Sequence, residues 1–151
     1  MNHHASTDTA DRGFTLVEVI VVLLVIGVIA AVAVSRVLTT QQDLVVQTDI
    51  VKTHLRFAQM KALNDDTATW GIAFAGGSYT LQRNGAAAAI NLPTENSSTR
   101  SFPSGTTVTT PVTVSFDSWG SPGPSDVSIT LSGDSGTSTI ILAANTGFIT
   151  P

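Results

Sequence analysis

Three hydrophobic patterns follow one another along the chain, and each predicts a different element. Residues 14–34 form an apolar run of 21 residues in which Glu18 is the only charged side chain. As a helix rising about 1.5 Å per residue, such a run spans the roughly 30 Å hydrocarbon core of a bilayer. A carboxylate near one end of it is costly to place in hydrocarbon and calls for a cationic partner. Residues 37–63 contain no glycine or proline. There Val37, Leu44, Val51, Leu55, Ala58 and Ala62 recur at helical spacing and form one narrow stripe. A weaker face of Val46, Ile50, Phe57 and Met60 lies roughly opposite. It can meet a neighbouring subunit or be covered by the same domain, and both options stay open. Asn64, Asp65 and Asp66 favour turns over helix interiors and predict the stop.

From Ala68 onward the period changes to two. Residues 70–74 and 79–82 read as strands joined by Gly76-Gly77, a hairpin. Asn84-Gly85 is a second turn. Residues 86–105 carry little pattern, and Pro93, Glu95, Asn96, Ser97 and Ser98 predict an exposed loop. Residues 108–116 alternate, but Pro111 interrupts them and argues for an edge or a break. Residues 118–124 are a Gly/Pro loop. Residues 127–131 and 139–142 flank Gly133-Asp134-Ser135-Gly136, a second hairpin, and Asn145-Thr146-Gly147 turns into a final Phe148-Ile149. The expected fold class is α+β. A long N-terminal helix, membrane-spanning in its first half and amphipathic in its second, packs on a C-terminal antiparallel domain of roughly six to eight strands.

Composition narrows the picture. The 151 residues include no cysteine, so an exported domain here has no disulfide staple. The stretch beyond the apolar run is long enough for one compact domain with its own core. Charge is uneven. Residues 35–63 hold four basic and two acidic side chains, net +2; beyond residue 63 only Arg83 and Arg100 face six carboxylates, net −4. That balance lacks the basic footprint of a general nucleic-acid binder, so nucleic acid is not an expected partner.

The residues before the apolar run carry the sharpest signal. Gly13-Phe14-Thr15-Leu16-Val17-Glu18 leads directly into it. An ordinary secretory signal has a basic start and a shorter apolar stretch followed by its cleavage site. Here Asp8, Asp11 and Arg12 precede the longer run. A plain membrane anchor explains the run but not Glu18 inside it, nor Gly13 before Phe14. The hexapeptide closely resembles the class III signal of type IV pilins and type II secretion pseudopilins. That resemblance implies cleavage by prepilin peptidase between Gly13 and Phe14 and N-methylation of Phe14. It also implies that Glu18 forms an assembly charge pair with the methylated amine of a neighbouring subunit.

Further along, the chain is similar to the H-type minor pseudopilins (GspH) and FimT-type minor pilins. The carriers are residues 55–62, 70–74, 79–81 and 114–117 with Gly120 and Pro122, and Thr146-Gly147-Phe148. Minor pilins of mannose-sensitive-haemagglutinin-type systems look similar as well. Two departures matter. Many major pilins close a C-terminal loop with a disulfide, and many carry a helix-bending proline at the end of the span. Here there is no cysteine, and no proline before Pro93, so a bend would have to use Gly27. The missing disulfide points to a minor pilin or pseudopilin rather than a major adhesive pilin.

The implied layout is a leader peptide at 1–13, a transmembrane and assembly helix at 14–35, its amphipathic continuation at 36–63, and a periplasmic β-rich domain at 64–151. The implied function is that of a minor pseudopilin supporting protein export. The alternative is a minor pilin of a type IV or mannose-sensitive-haemagglutinin-type pilus, serving assembly, adhesion or DNA uptake. The implied partners are prepilin peptidase, other pilins or pseudopilins met through the N-terminal helix, and an inner-membrane assembly platform. The implied location is the inner membrane, single-pass, with the C-terminal domain in the periplasm.

The chain is not expected to be an enzyme and suggests no cofactor or metal. His54, the sole histidine after the leader, reads as a surface residue. Ser118, Ser121 and Ser125 have no histidine near them in sequence. Gly71, Gly76 and Gly77 make no phosphate-binding fingerprint. Asp117, Asp126 and Asp134 are the best calcium candidates, but they form no dense acidic loop, and Asp117 and Asp134 read as turn residues. Trp119 reads as the edge of a small core rather than an exposed contact.

Overall fold

The computed structural model describes residues 15–150; for residues 32–43 it describes the helical backbone. Gly13, Phe14 and the rest of the proposed leader lie outside the described residues, as does the side chain of Val37. The chain divides into two compact units, Met1–Arg36 and Val37–Pro151.

One uninterrupted helix, α1, covers Leu16–Asn64. Thr15 caps it, because its hydroxyl accepts from the Glu18 N–H at 3.2 Å and its carbonyl from Val19 at 3.2 Å. Thr15 and Glu18 stand three apart, the spacing of a capping box, and Glu18 places a carboxylate in the first turn where the helix dipole favours it. Gly27 does not break the helix. The stop falls where the Asn-Asp-Asp signal predicts.

In the second unit α1 buries Leu44, Gln47, Thr48, Val51, His54, Leu55, Ala58 and Ala62. Every stripe residue whose side chain is described is therefore buried. The weaker face is not covered to the same degree: Val46 and Met60 are exposed, Ile50 and Phe57 half-buried.

Nine strands come after it among the described residues, in two antiparallel sheets rather than one. In the first sheet β1 (Trp70–Ala75) lies between β2 (Ser78–Arg83) and β6 (Val112–Phe116). Ile72 stands opposite both Leu81 and Val114. The far edge of β2 is shared by two short strands, β3 (Ala86–Ala87) and β4 (Thr99–Ser101). The second sheet has the order β5 (Thr107–Val108), β7 (Val127–Gly133), β8 (Gly136–Leu142), β9 (Ile149–Thr150). Pro111 stands between β5 and β6, where the chain leaves one sheet for the other; a residue without an N–H suits that gap. Asn84 and Gly85 both have positive φ (54° and 77°), the two-residue turn that joins β2 to β3.

The core joins helix and sheets. Val51, Leu55 and Ala58 from α1 share one cluster with Ile72, Leu81 and Val114 of the first sheet and Ile129, Leu131, Ile140 and Leu142 of the second. Burying one such aliphatic side chain stabilises by about 1.5–3 kcal/mol. Residues 93–98, expected as an exposed loop, carry no strand and none of them is buried, whereas the rest of 86–105, which carries little pattern, is more ordered than its sequence suggests. That remainder contributes β3 and β4 and buries Ala88, Leu92 and Phe102.

Two polar ties fix the helix end. The Gln59 side-chain amide donates to the carbonyls of Gly120 (2.8 Å) and Gly147 (3.1 Å), drawing two loops together. The loops touch so closely that a Cβ on Gly147 would lie 2.2 Å from the Gly120 oxygen. Asp65 accepts from the Trp70 indole (3.0 Å), from Arg83 (3.1 and 3.2 Å) and from Thr67 (2.6 Å to the hydroxyl). The Thr67 and Trp70 hydrogen bonds, with Arg83 adding to them, hold its carboxyl well below the usual carboxylate range.

Candidate functional site

The described part of the first unit is helical from Leu16, and its described side chains are apolar on every side. Leu16, Val17, Val19, Ile20, Val21, Val22, Leu23, Leu24, Val25, Ile26, Val28 and Ile29 are all exposed. A soluble surface helix keeps its apolar residues to one stripe, so a helix without a polar face is built to be covered by lipid or by other helices. Among the described residues no helix is long and apolar enough to cross a membrane. The part of the apolar run with described side chains is residues 15–31, shorter than the 20 or so a bilayer needs.

Glu18 projects from this surface one turn before Val22, beside Val19 and Leu23. Its side chain is exposed and has no ion-pair partner among the described residues. Among the described residues it therefore stands at the helix start as a carboxylate framed by aliphatic groups. The cap formed by its backbone N–H on Thr15 is a role that motif reading missed, although the Thr-x-x-Glu spacing signals it.

The other residues singled out in the sequence do not assemble into a catalytic centre. His54 is buried, not on the surface: its Nδ1 meets the Tyr79 hydroxyl at 2.7 Å and its Nε2 the Pro93 carbonyl at 3.0 Å. Its position was legible, because Gln47, Val51, His54 and Ala58 recur at spacings of four, three and four along the buried side of α1. Burial lowers its pKa, and Arg100 adds to that, while the Pro93 hydrogen bond and Glu95 oppose it. Burial likewise raises the pKa of Tyr79. Ser121 is buried and accepts from the Gly123 N–H, whereas Ser118 and Ser125 are exposed.

Asp117 is a turn residue, accepting from the N–H groups of Trp119 (2.9 Å) and Ser121 (2.8 Å). Asp126 accepts from the Ala144 N–H at 2.7 Å. Among the described residues no group of three or more His, Asp or Glu is arranged to hold a metal. Trp119 is 84% exposed and does not close a core edge. The two basic side chains beyond residue 63 are both engaged: Arg83 pairs with Asp65, and Arg100 with Glu95 and the Gln47 amide oxygen.

Residues 8–34 match the family model described as the prokaryotic N-terminal methylation motif. The match takes in Gly13, Phe14 and Glu18 together with the whole of the apolar run. It supports a prepilin-like leader and the type IV pilin and pseudopilin class, and it implies processing by prepilin peptidase and assembly with other pilins. No curated protein and no solved structure matches the chain.

Proposed function

We propose that this chain is a minor pseudopilin of the GspH/FimT-like kind, a subunit of a type II secretion pseudopilus. The observation that carries the reading is the coincidence of the methylation motif at 8–34 with a helix whose apolar side chains are exposed on every side. The precursor sits in the inner membrane with residues 14–34 as its single span and the β-domain in the periplasm. Prepilin peptidase cuts between Gly13 and Phe14 and methylates the freed amine of Phe14. That cation lies four residues from Glu18, but in a growing filament the neighbouring subunit's amine is the partner that compensates the carboxylate. In a low-dielectric helix bundle an unpaired Glu18 is strongly disfavoured, so the charge pair sets the axial position of each entering subunit. The subunit works by assembly with its neighbours and the inner-membrane platform rather than by catalysis.

A minor pilin of a surface pilus uses the same leader. DNA uptake is the less favoured version of that alternative, because Arg83 and Arg100 are already paired with carboxylates.

The test is intact-mass and filament analysis in the native host. The wild-type chain is expected to lose residues 1–13 and gain one methyl group on Phe14. Gly13→Leu is expected to remain full-length, and its normal processing would defeat the leader assignment. Glu18→Val is expected to be cleaved but left out of sheared filaments; wild-type incorporation removes the charge-pair role. Deletion of the gene is expected to abolish substrate export. Loss of surface pili with export intact would move the subunit to a pilus.

A further inference from the structure

The buried polar cluster on the sheet-facing flank of α1 lies outside the methylation motif, and its chemistry is specific. His54 touches two elements at once, β2 through the Tyr79 hydroxyl and the 88–98 segment through the Pro93 carbonyl. A carbonyl oxygen only accepts, so Nε2 carries the proton and Nδ1 is the bare acceptor of the Tyr79 O–H. The neutral imidazole has one donor and one acceptor, and both are used.

We propose that His54 is a pH-sensitive latch: neutral, it clips the 88–98 segment and β2 to α1, and on protonation it releases that segment and uncovers Ile50 on the second apolar face of the helix.

Protonation would place an N–H at Nδ1, facing a hydroxyl that now donates to it. Tyr79 would have to turn its O–H away, and its hydroxyl has no other partner among the described residues. The Tyr79 ring is packed between Phe74 and Phe102, with centroids 5.4 and 5.2 Å away, so it cannot swing to water. The charged groups facing the ring do not welcome a cation either. From β4, Arg100 adds like charge. From the 88–98 segment, Glu95 has the right sign, but its carboxylate is committed to Arg100. On α1 itself Gln47 is bonded to Arg100, and Asp49, which borders the same groove as His54, is paired with Lys52 at 3.1 Å. A buried imidazolium here is thus poorly compensated.

The 88–98 segment is built to let go. Its inner hydrogen bonds are local, Leu92 to Ser97 and Glu95 to Leu92. Its ties to β2 lie near its ends, where Ala88 donates to Leu81 and Leu81 donates to Ser98. The middle is held to α1 by the His54–Pro93 hydrogen bond, the Glu95–Arg100–Gln47 chain and the burial of Leu92. Between its end ties no backbone ladder joins it to β2, so the middle can open locally while the ends stay paired. Beside the latch lies a shallow groove of about 270 Å³ between Val46, Ile50 and Thr53 of α1 and Pro93 and Thr94. Release of Pro93 widens it and bares Ile50, which is half-buried beside the already exposed Val46 on the weaker apolar face of the helix.

The sign of the linkage is set by the lowered pKa. Above the ordinary histidine value of 6.5 both closed and open states are neutral, and the latch is fully in place. Below it the open state binds a proton that the closed state refuses, so closure weakens as the pH falls towards the closed-state pKa. Each unit of lowering is worth about a tenfold change in the closing equilibrium.

The test is amide exchange of the full-length chain in detergent micelles at pH 7.5 and 5.0, corrected for intrinsic exchange. Residues 89–97 are expected to lose roughly tenfold in protection at the lower pH relative to β7 and β8. His54→Gln, which cannot titrate, is expected to remove that difference. A wild-type segment with unchanged protection overturns the latch, as does a His54→Gln chain with wild-type pH dependence. Ring nitrogen NMR, with His3 and His4 replaced by glutamine, decides the matter if His54→Gln does not fold. His54 is expected as the Nε2–H tautomer with a midpoint below 6.5, moving upward in Tyr79→Phe. A midpoint at or above 6.5, or one that Tyr79→Phe leaves unmoved, overturns the proposal.

Discussion

Leu23 and Leu55 stand on one continuous helix, yet Leu23 is 63% exposed and Leu55 wholly buried. The difference lies in the residues around them. Leu55 belongs to a stripe backed by charged and polar neighbours such as Lys52 and Arg56, so its segment has one face to bury and a domain of its own to bury it in. Leu23 has aliphatic neighbours on all sides and only Glu18 as a charge within reach of the same surface. The first region needs cover from outside the chain, whereas the second supplies its own. Exposure in α1 thus reports where each half is meant to find its partner.

Truncating the same side chain in each region puts that comparison at risk. Leu55→Ala is expected to cost about 3 kcal/mol of β-domain stability, the usual loss for a leucine cavity in a packed core. Leu23→Ala is expected to leave that unfolding midpoint unchanged and to lower incorporation into filaments instead. Urea titration of both variants in micelles, followed by fluorescence, measures the first quantity. Equal destabilisation by the two would mean that the apolar half is not independent of the domain's core.

Much of this contrast is visible in the chain. The unbroken apolar run, the stripe from Leu44 to Ala62, and the turns at Asn84-Gly85 and 133–136 each rest on local chemistry, so periodicity and turn residues suffice. The two-sheet arrangement was not visible, because Pro111 marks an interruption without saying that the chain changes sheets there. Nor was β4: Thr99, Arg100 and Ser101 look like loop residues and become a strand only because β2 offers an open edge. His54 was misjudged by residue type although its spacing placed it on the buried side, and Trp119 was misjudged in the opposite sense. At the N-terminus the motif is legible as a pattern of types, and the Thr-x-x-Glu spacing signals the cap that Thr15 provides to the Glu18 N–H as well.

A smaller effect, confined to acid, sharpens the second region. Asp65 fastens the end of α1 to β1 and β2 through Trp70, Arg83 and Thr67, and its folded-state pKa is depressed. Above the ordinary value of 3.8 the carboxylate is ionised in both folded and unfolded chains, and its contribution is complete. Below that value the unfolded chain takes a proton that the folded one refuses, so stability falls as the pH drops. Asp65→Asn is expected to flatten the stability profile between pH 4 and 2 while lowering the plateau near neutrality. A wild-type slope in the Asn variant would assign acid sensitivity to another carboxylate.

The two tryptophans repeat the comparison on the scale of single side chains, with the smallest expected change. Trp70 is 6% exposed and anchors Asp65 through its indole N–H; Trp119 precedes Gly120 on the loop that Gln59 clasps and is 84% exposed. That loop draws on backbone for its closure. The Asp117 carboxylate holds the N–H groups of Trp119 and Ser121, and the Gly120 carbonyl meets Gln59, so the indole at 119 takes no part in closing the turn. Trp119→Ala is therefore expected to change unfolding free energy by less than about 0.5 kcal/mol, the range of surface substitutions. It should also remove the red-shifted, iodide-quenchable share of the fluorescence and leave the blue-shifted emission of Trp70. A loss larger than about 1 kcal/mol would show that the indole is covered in the folded domain, placing residue 119 with the self-sufficient region. A neutral result leaves a large aromatic in water at no gain to the fold, which separates residue 119 from Trp70 and from the region that supplies its own cover.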